Sequence, residues 1–326
     1  MLILQQYRLL VITTLAAILG CEESFTPKGD FREETVAYSI ISNLSDTHFA
    51  RVYRTYDPPG YDPFEQTTDN SVTGALVRIS DGFTQWIFRD TLIARADSSR
   101  YTSPIGAYVS SPLQPVRGRQ YSLLVQPPGG VVINALILFP EQGFISFYKN
   151  QGGVTQPQSA ADRFIGIRAT IPTTTKGFMI RFHVTFDALE NSVWVPRKIE
   201  IPYFINNVGL PEEQYQYYEV TRSFDGGGSI GTVVTHILDF NIDSYVLVIS
   251  RLYGKYGSGG VRFTKGIFTL TQIEQQLYSY YNISRGFRDP NSIRIDEPDY
   301  SNIGGGAGVF GAFAVDSIVV TLPTTL

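Results

Sequence analysis

The sequence has a single cysteine, Cys21, in 326 residues. One thiol excludes an intramolecular disulfide and leaves a cysteine-based zinc site short of sulfurs. Its three histidines, His48, His183 and His236, are far apart along the chain, which gives no multi-histidine metal motif. Charged residues make up only 17%, below the roughly 25% of ordinary soluble domains. The net charge is −4, so the chain lacks the basic field that nucleic-acid binding requires. No apolar run reaches the roughly 20 residues of a membrane-spanning helix. A strand-to-helix nucleophile elbow is not read from the sequence either. Thirty acidic residues supply many pairs, and none stands out as the two carboxylates of a glycosidase.

Apolar and aromatic material is plentiful. Hydrophobic residues make up 43% and aromatics 13%, with 20 Tyr and 21 Phe, which is ample for a packed core and excludes global disorder. The length allows about two domains.

Residues 1–20 carry one charged side chain, Arg8, followed by an apolar run from Leu9 to Gly20. That run is too short to span a bilayer and has the length of an export signal's apolar region. It ends in Ile18-Leu19-Gly20-Cys21, which resembles the lipobox of bacterial lipoproteins. The resemblance implies cleavage before Cys21 and lipidation of its thiol, which anchors the mature protein on a membrane. Glu22 and Glu23 follow directly. They resemble the export signal of surface lipoproteins in Bacteroidota-type bacteria, which implies a lipid-anchored outer-membrane location facing the cell surface. Residues 21–34, polar with Pro27 and Gly29, read as a tether.

From residue 35 onward the hydrophobic pattern has period two nearly everywhere, with turn signals about every 8–15 residues. The fold class expected is all-β. A small Ig-like β-sandwich is expected over 35–130, closed by the turn at Gln126–Gly130, and a larger β-rich domain with one short helix over 131–326. Asp81-Gly82 marks a hairpin. Tyr245–Ser250 reads as a strand. Thr271-Gln-Ile-Glu274 is a capping-box pattern, and Ile273, Leu277, Tyr280 and Tyr281 then share a helical face.

Two stretches, Gly226–Gly231 and Gly306–Gly311, match G-x-G-x-x-G. Strand-like residues follow both, whereas a dinucleotide site needs a helix there. Nothing else in the sequence asks for a cofactor. Asp239, Asn241 and Asp243 begin like a calcium loop, but Ser244 and Ser250 stand where an EF-hand needs Gly and Glu. As strand residues the three share a face, so a calcium site outside the EF-hand class competes with a solvated strand end. Asp296, Glu297 and Asp299 form a second acidic cluster.

Aromatic clusters are the remaining candidates for a binding surface, since tyrosine offers a large area with a polar tip. One is Tyr215, Tyr217 and Tyr218, a second Tyr278, Tyr280 and Tyr281, a third Tyr53, Tyr56 and Tyr61 around the Pro- and Gly-containing loop at 57–63. Tyr56, Tyr61 and Phe64 are favoured as exposed. Each cluster equally suits sheet packing.

The stretch Val72–Asp81 and then Gly118–Val125 resemble an Ig-like unit behind a lipoprotein cysteine. Near the C-terminus, Leu277–Tyr281 is followed by Tyr300-Ser-Asn302-Ile and a glycine run that ends in Phe310-Gly-Ala312. These residues are similar to those of the bacterial lipoprotein family known as domain of unknown function 4249. The resemblance implies an outer-membrane lipoprotein that accompanies a TonB-dependent transporter, and implies no catalytic residues. Read physically, the same motif leaves two possibilities: a structural corner in which Tyr300 and Asn302 lock the glycine loop, or a ligand-contacting loop with Tyr300 and Asn302 as candidate contacts. A non-catalytic accessory or ligand-binding subunit is therefore the leading expectation, a surface adhesin the alternative, and a carbohydrate- or peptide-active hydrolase the third.

Overall fold

The computed structural model describes residues 31–57, 67, 69–97, 99, 101, 103–110, 112–149, 163–225, 227–286 and 300–320. Residues 1–20, Cys21, Tyr61, Phe64 and the acidic cluster at 296–299 lie outside the described residues.

The protein is all-β with a little helix. Seven strands come first: β1 (Thr35–Ser42), β2 (His48–Arg54), β3 (Leu76–Ser80), β4 (Gln85–Ile93), β5 (Ile105–Ser110), β6 (Gln120–Gln126) and β7 (Ile133–Leu138). Then follow β8 (Phe144–Lys149), β9 (Phe164–Pro172), β10 (Gly177–Glu190), β11 (Val193–Ile201), β12 (Phe204–Asn206) and β13 (Gln214–Gln216). The last elements are β14 (Thr221–Arg222), β15 (Gly228–Ile230), β16 (Val233–Asn241), α1 (Ile242–Tyr256), β17 (Val261–Ile273), α2 (Gln275–Gly286) and β18 (Ala307–Val320).

A 12-stranded sheet runs β11-β10-β17-β18-β1-β2-β5-β4-β3-β6-β7, with β14 beside β10. A four-stranded sheet runs β15-β16-β9-β8. The turn at Pro127–Gly130 joins two paired strands, β6 and β7. β18 enters the large sheet between β1, which it meets in parallel, and β17, which it meets antiparallel. Residues 34–326 form one compact unit.

Two hydrophobic cores lie against one face of this sheet. The first gathers Ala37, Ile41, Val52, Val77, Ile79, Leu123, Val125 and Ile137 with Phe310, Ala312 and Ala314 of β18. Tyr121 is fully buried in it, and its hydroxyl accepts the Val116 N–H at 2.8 Å. A tyrosine tied to backbone a few residues upstream is the corner device of Ig-type sandwiches. The second core gathers Ile167, Ile180, Phe182, Val184, Phe240, Tyr245 and Phe268. Phe182 and Phe268 stack with centroids 4.0 Å apart. Each such ring contributes roughly 1.5–3 kcal/mol on burial. Between the cores a polar bridge forms: Asp316 accepts from Arg117 at 2.6 Å and from Gln272 at 2.9 Å.

Two expectations about helices are corrected. Tyr245–Ser250 belongs to α1. Its Val and Ile content imitates a strand, but Ile242, Tyr245, Ile249 and Leu252 recur at helical spacing and are buried. Asn241 caps that helix, its Oδ1 accepting from the Asp243 N–H at 2.7 Å and the Ser244 N–H at 3.3 Å. There are thus two helices among the described residues, where one was expected. The second, α2, is not capped by Thr271. Residues 271–273 are held in β17 between β10 and β18, so the helix starts only after Glu274. Glu274 itself is the cap, its carboxylate accepting the Gln276 and Leu277 N–H groups, each at 2.7 Å.

The hairpin at Asp81-Gly82 forms, with a longer loop. Ser80 pairs with Gln85, and the Asp81 carboxylate accepts the Phe83 and Thr84 N–H groups at 3.0 and 2.7 Å. β8 was not anticipated.

Candidate functional site

The face of the large sheet opposite the cores carries α2. Strand alternation decides what is presented there: Met179, Arg181, His183 and Thr185 from β10, Thr271 and Ile273 from β17, Phe313 and Val315 from β18, and Tyr38 and Ile40 from β1. Glycines at two of these outward positions let the helix lie close. An added Cβ at Gly177 would fall on the Tyr278 ring, and one at Gly311 would come within 2.9 Å of Leu277. Ile273, Leu277 and Val309 form a small buried cluster under α2, flanked by Tyr38, Val220, Tyr278, Tyr280, Tyr300 and Phe313.

Beside this seat an open groove of about 400 Å³ remains. Its apolar walls come from Ile40, Leu44, Met179, Ile273, Leu277, Phe313 and Val315, with Tyr281 at one end and Arg181 at the other. Leu44 is 65% exposed and Tyr281 40% exposed, so part of this apolar surface faces water.

Tyrosines extend the site on both sides. Tyr53 stacks on Tyr38 with centroids 6.2 Å apart, Tyr38 meets Tyr280 edge-on at 6.2 Å, and Tyr280 meets Tyr281 at 5.8 Å. Burial raises the pKa of both Tyr53 and Tyr280. The fold thus joins two of the clusters noted in the sequence through Tyr38, which belonged to neither. At the far end the Arg181 guanidinium lies 5.8 Å from the Tyr217 ring centroid and pairs with Glu200 at 2.5 Å. Tyr215 and Tyr217 are exposed, while Tyr218 turns inward and stacks on Tyr203 at 4.4 Å.

The other residues singled out in the sequence do different work. Tyr56 is half-buried just past β2. The Tyr300 hydroxyl donates to Gln276 Oε1 on α2, and burial raises its pKa. Asn302 donates from Nδ2 to the Phe310 carbonyl at 2.8 Å and accepts the Phe310 N–H at 2.9 Å. Of the three calcium-loop residues, Asn241 spends its Oδ1 on the α1 cap, Asp243 pairs with Arg163 at 3.3 Å, and Asp239 engages Tyr218 through its backbone. Among the described residues no three His, Cys, Asp or Glu side chains converge as metal ligands.

The histidines are set in strands. His48 Nε2 bonds the Leu113 carbonyl at 2.9 Å, and burial lowers its pKa. His236 Nε2 bonds the Ser223 carbonyl at 2.6 Å and packs 4.4 Å from Phe178. His183 lies on the outer sheet face with Nδ1 buried and unbonded. Burial lowers its pKa, and Lys198 adds to the effect. By letter, Gly227-Gly-Ser229-Ile-Gly231 spells G-x-S-x-G. The structure puts Gly228–Ile230 in β15, paired in a hairpin with β16, where an elbow needs a following helix.

The groove is not legible in the sequence, because its walls come from five separated segments. Its one trace in the sequence is that Ile40-Ile41 and Ala312–Val315 are apolar on both strand faces, the pattern of a strand covered on both sides.

No family model matches the chain, and no curated protein matches it.

Proposed function

We propose that this protein is a non-catalytic, lipid-anchored outer-membrane lipoprotein that serves as a ligand-binding or accessory subunit of a TonB-dependent transporter. The observation that carries the binding half of this reading is the open groove between α2 and the sheet, lined mostly by apolar side chains and flanked by the exposed rings of Tyr281 and Tyr217. All of its lining residues but Leu44 and Val220 sit on strands or on α2, which hold those side chains in place. Aromatic side chains with an apolar body and a polar tip suit both small-molecule and protein contacts.

The anchoring half is supported by the Ile18–Cys21 stretch. The polar segment 22–34 separates Cys21 from the first strand and serves as a tether. The transporter partner comes from the resemblance carried by Leu277–Tyr281 and Tyr300–Ala312, and the Ig-like character of the first core from the Tyr121 corner.

The deciding experiment is a gentle detergent purification of tagged protein from native membranes, with mass spectrometry of the proteins that accompany it. A TonB-dependent barrel in fixed ratio is the expected result. A lone lipoprotein, reproducibly free of partners, overturns the accessory role.

A further inference from the structure

We propose that the outer face of the large sheet is a site for an amphipathic anion: a long-chain carboxylate. Its head lies between Lys198 and Lys265, and its alkyl chain runs past Ile267 and Val319 into the groove beside α2. This rests on the groove being a binding site.

The register of β11, β10, β17 and β18 sets out the face row by row. In the outermost of these rows Lys198 pairs across to Thr185, and Thr185 to Lys265. Neighbouring strands are 4.7–4.9 Å apart, so the two lysines flank Thr185 at roughly 10 Å from each other. In the next row along β10, Glu200 pairs with His183, His183 with Ile267, and Ile267 with Val319. The row after that holds Arg181, Thr269 and Ser317, and the last, Met179, Thr271 and Val315, is the groove wall. From Thr185 to Met179 is about 20 Å along the strand, a span for one extended alkyl chain.

The charges on this face point to an anion. Glu200 is neutralised by Arg181 at 2.5 Å. Asp187, one row beyond Thr185, sits directly across from Arg262 in the register. Lys198 and Lys265 take part in no described ion pair, so two positive charges stand out on a protein whose net charge is −4. The groove end adds no uncompensated charge, because its Arg181 is held by Glu200. Leu44 in the groove is 65% exposed and Val319 on the way to it 59% exposed, and both become covered when an alkyl chain lies along the lane. A headgroup that is anionic and a tail that is apolar match the two ends in order.

The test is calorimetric titration of the compact unit 34–326, which contains both cores and every strand and helix described, with sodium dodecanoate, dodecanol and dodecyltrimethylammonium below their aggregation limits. Far-UV circular dichroism confirms that each variant folds. Dodecanoate is expected to bind more tightly than dodecanol, and dodecyltrimethylammonium more weakly than either. The double variant Lys198→Gln/Lys265→Gln should lose about fivefold in dodecanoate affinity, the scale of two exposed charge contacts, and should leave dodecanol unchanged. Leu44→Glu should weaken both. Equal affinity for acid and alcohol, or a lysine variant that binds dodecanoate as the native protein does, overturns the anion while leaving the groove. Absence of any amphiphile binding overturns the site. Because a copurifying barrel is read separately, a barrel without dodecanoate binding refutes only the ligand class, and dodecanoate binding without a barrel refutes only the transporter role.

Discussion

Asn302 and Phe310 exchange both of their amide hydrogen bonds, side chain to backbone, at 2.8 and 2.9 Å. The asparagine amide stands in for a peptide group and holds the chain into β18. Asn43 does the same for Val315, with both bonds at 2.8 Å. Asn302→Asp removes the donor and turns an oxygen toward the Phe310 carbonyl. It should lower stability by about 2 kcal/mol, more than Asn302→Ala relieved of that repulsion. Urea unfolding of the two variants checks the order.

The glycine corner before β18 makes a sharper prediction. Gly305 has φ +83° and Gly308 φ +113°. A Cβ at Gly306 would fall on the Thr35 carbonyl oxygen, and one at Gly308 on that of Ala37. Gly306→Val and Gly308→Val should each cost about 3 kcal/mol or more, since backbone oxygens of β1 cannot yield as a side chain does. Gly254, within α1, has no atom within 4 Å of an added Cβ. Gly254→Ala should therefore stabilise by roughly 1 kcal/mol. Thermal melts that fail to separate the two classes would contradict this account.

Glu274 makes stability depend on pH. It is 3% exposed, and burial pushes its pKa up to about 7 even though its carboxylate accepts the cap hydrogen bonds. The folded state therefore takes up a proton before the unfolded chain does. Glu274's contribution is fully present below about pH 4.5 and is lost as pH rises through 7. The full difference is on the order of 3 kcal/mol at 1.36 kcal/mol per pKa unit. Glu274→Gln keeps an acceptor for the cap and removes the titration. Its stability should be flat over this window apart from other groups, and at pH 8 it should equal or exceed the native protein's. Parallel pH profiles for the two proteins would show that Glu274 is not the source.

Cys21→Ser tests the anchor. Fractionation should find the variant released from membranes. If it still sediments entirely with the outer membrane, the lipoprotein reading loses its main support.

Strands were legible where one face is buried and the other wet. In β6 the alternation of Tyr121, Leu123 and Val125 with Ser122 and Leu124 marks the strand, and the first three are buried while the other two are half-buried. The Tyr245–Ser250 segment misled because β-branched residues serve a buried helix face as well as a strand. The Glu274 cap misled because Thr271 satisfies the same letter pattern, and only the pairing of β17 with β10 and β18 shows that Thr271 is extended. Alternation separates Tyr215 and Tyr217 from Tyr218, but which side is wet is not legible in the sequence, because both faces carry large aromatics. The groove and the outer lane are not legible either, since they depend on β1, β10, β17 and β18 being brought side by side across some 270 residues, as in the Asn43–Val315 contact with its separation of 272. Asn302 was singled out in the sequence, and its peptide-like pairing with Phe310 answers to the structural reading of the corner.

The place of β18 sets the order of events when the chain folds. The first core needs Phe310, Ala312 and Ala314 to close over residues that begin at Ala37, and the second takes Val320 from the same strand. Neither can be completed until β18 has been delivered, and among the described strands its parallel pairing with β1 closes the longest loop. High sequence separation of this kind slows folding. A chain threaded through a translocation pore with its N-terminus leading would stay loosely structured throughout transit, and its fold would lock only after the final strand had emerged.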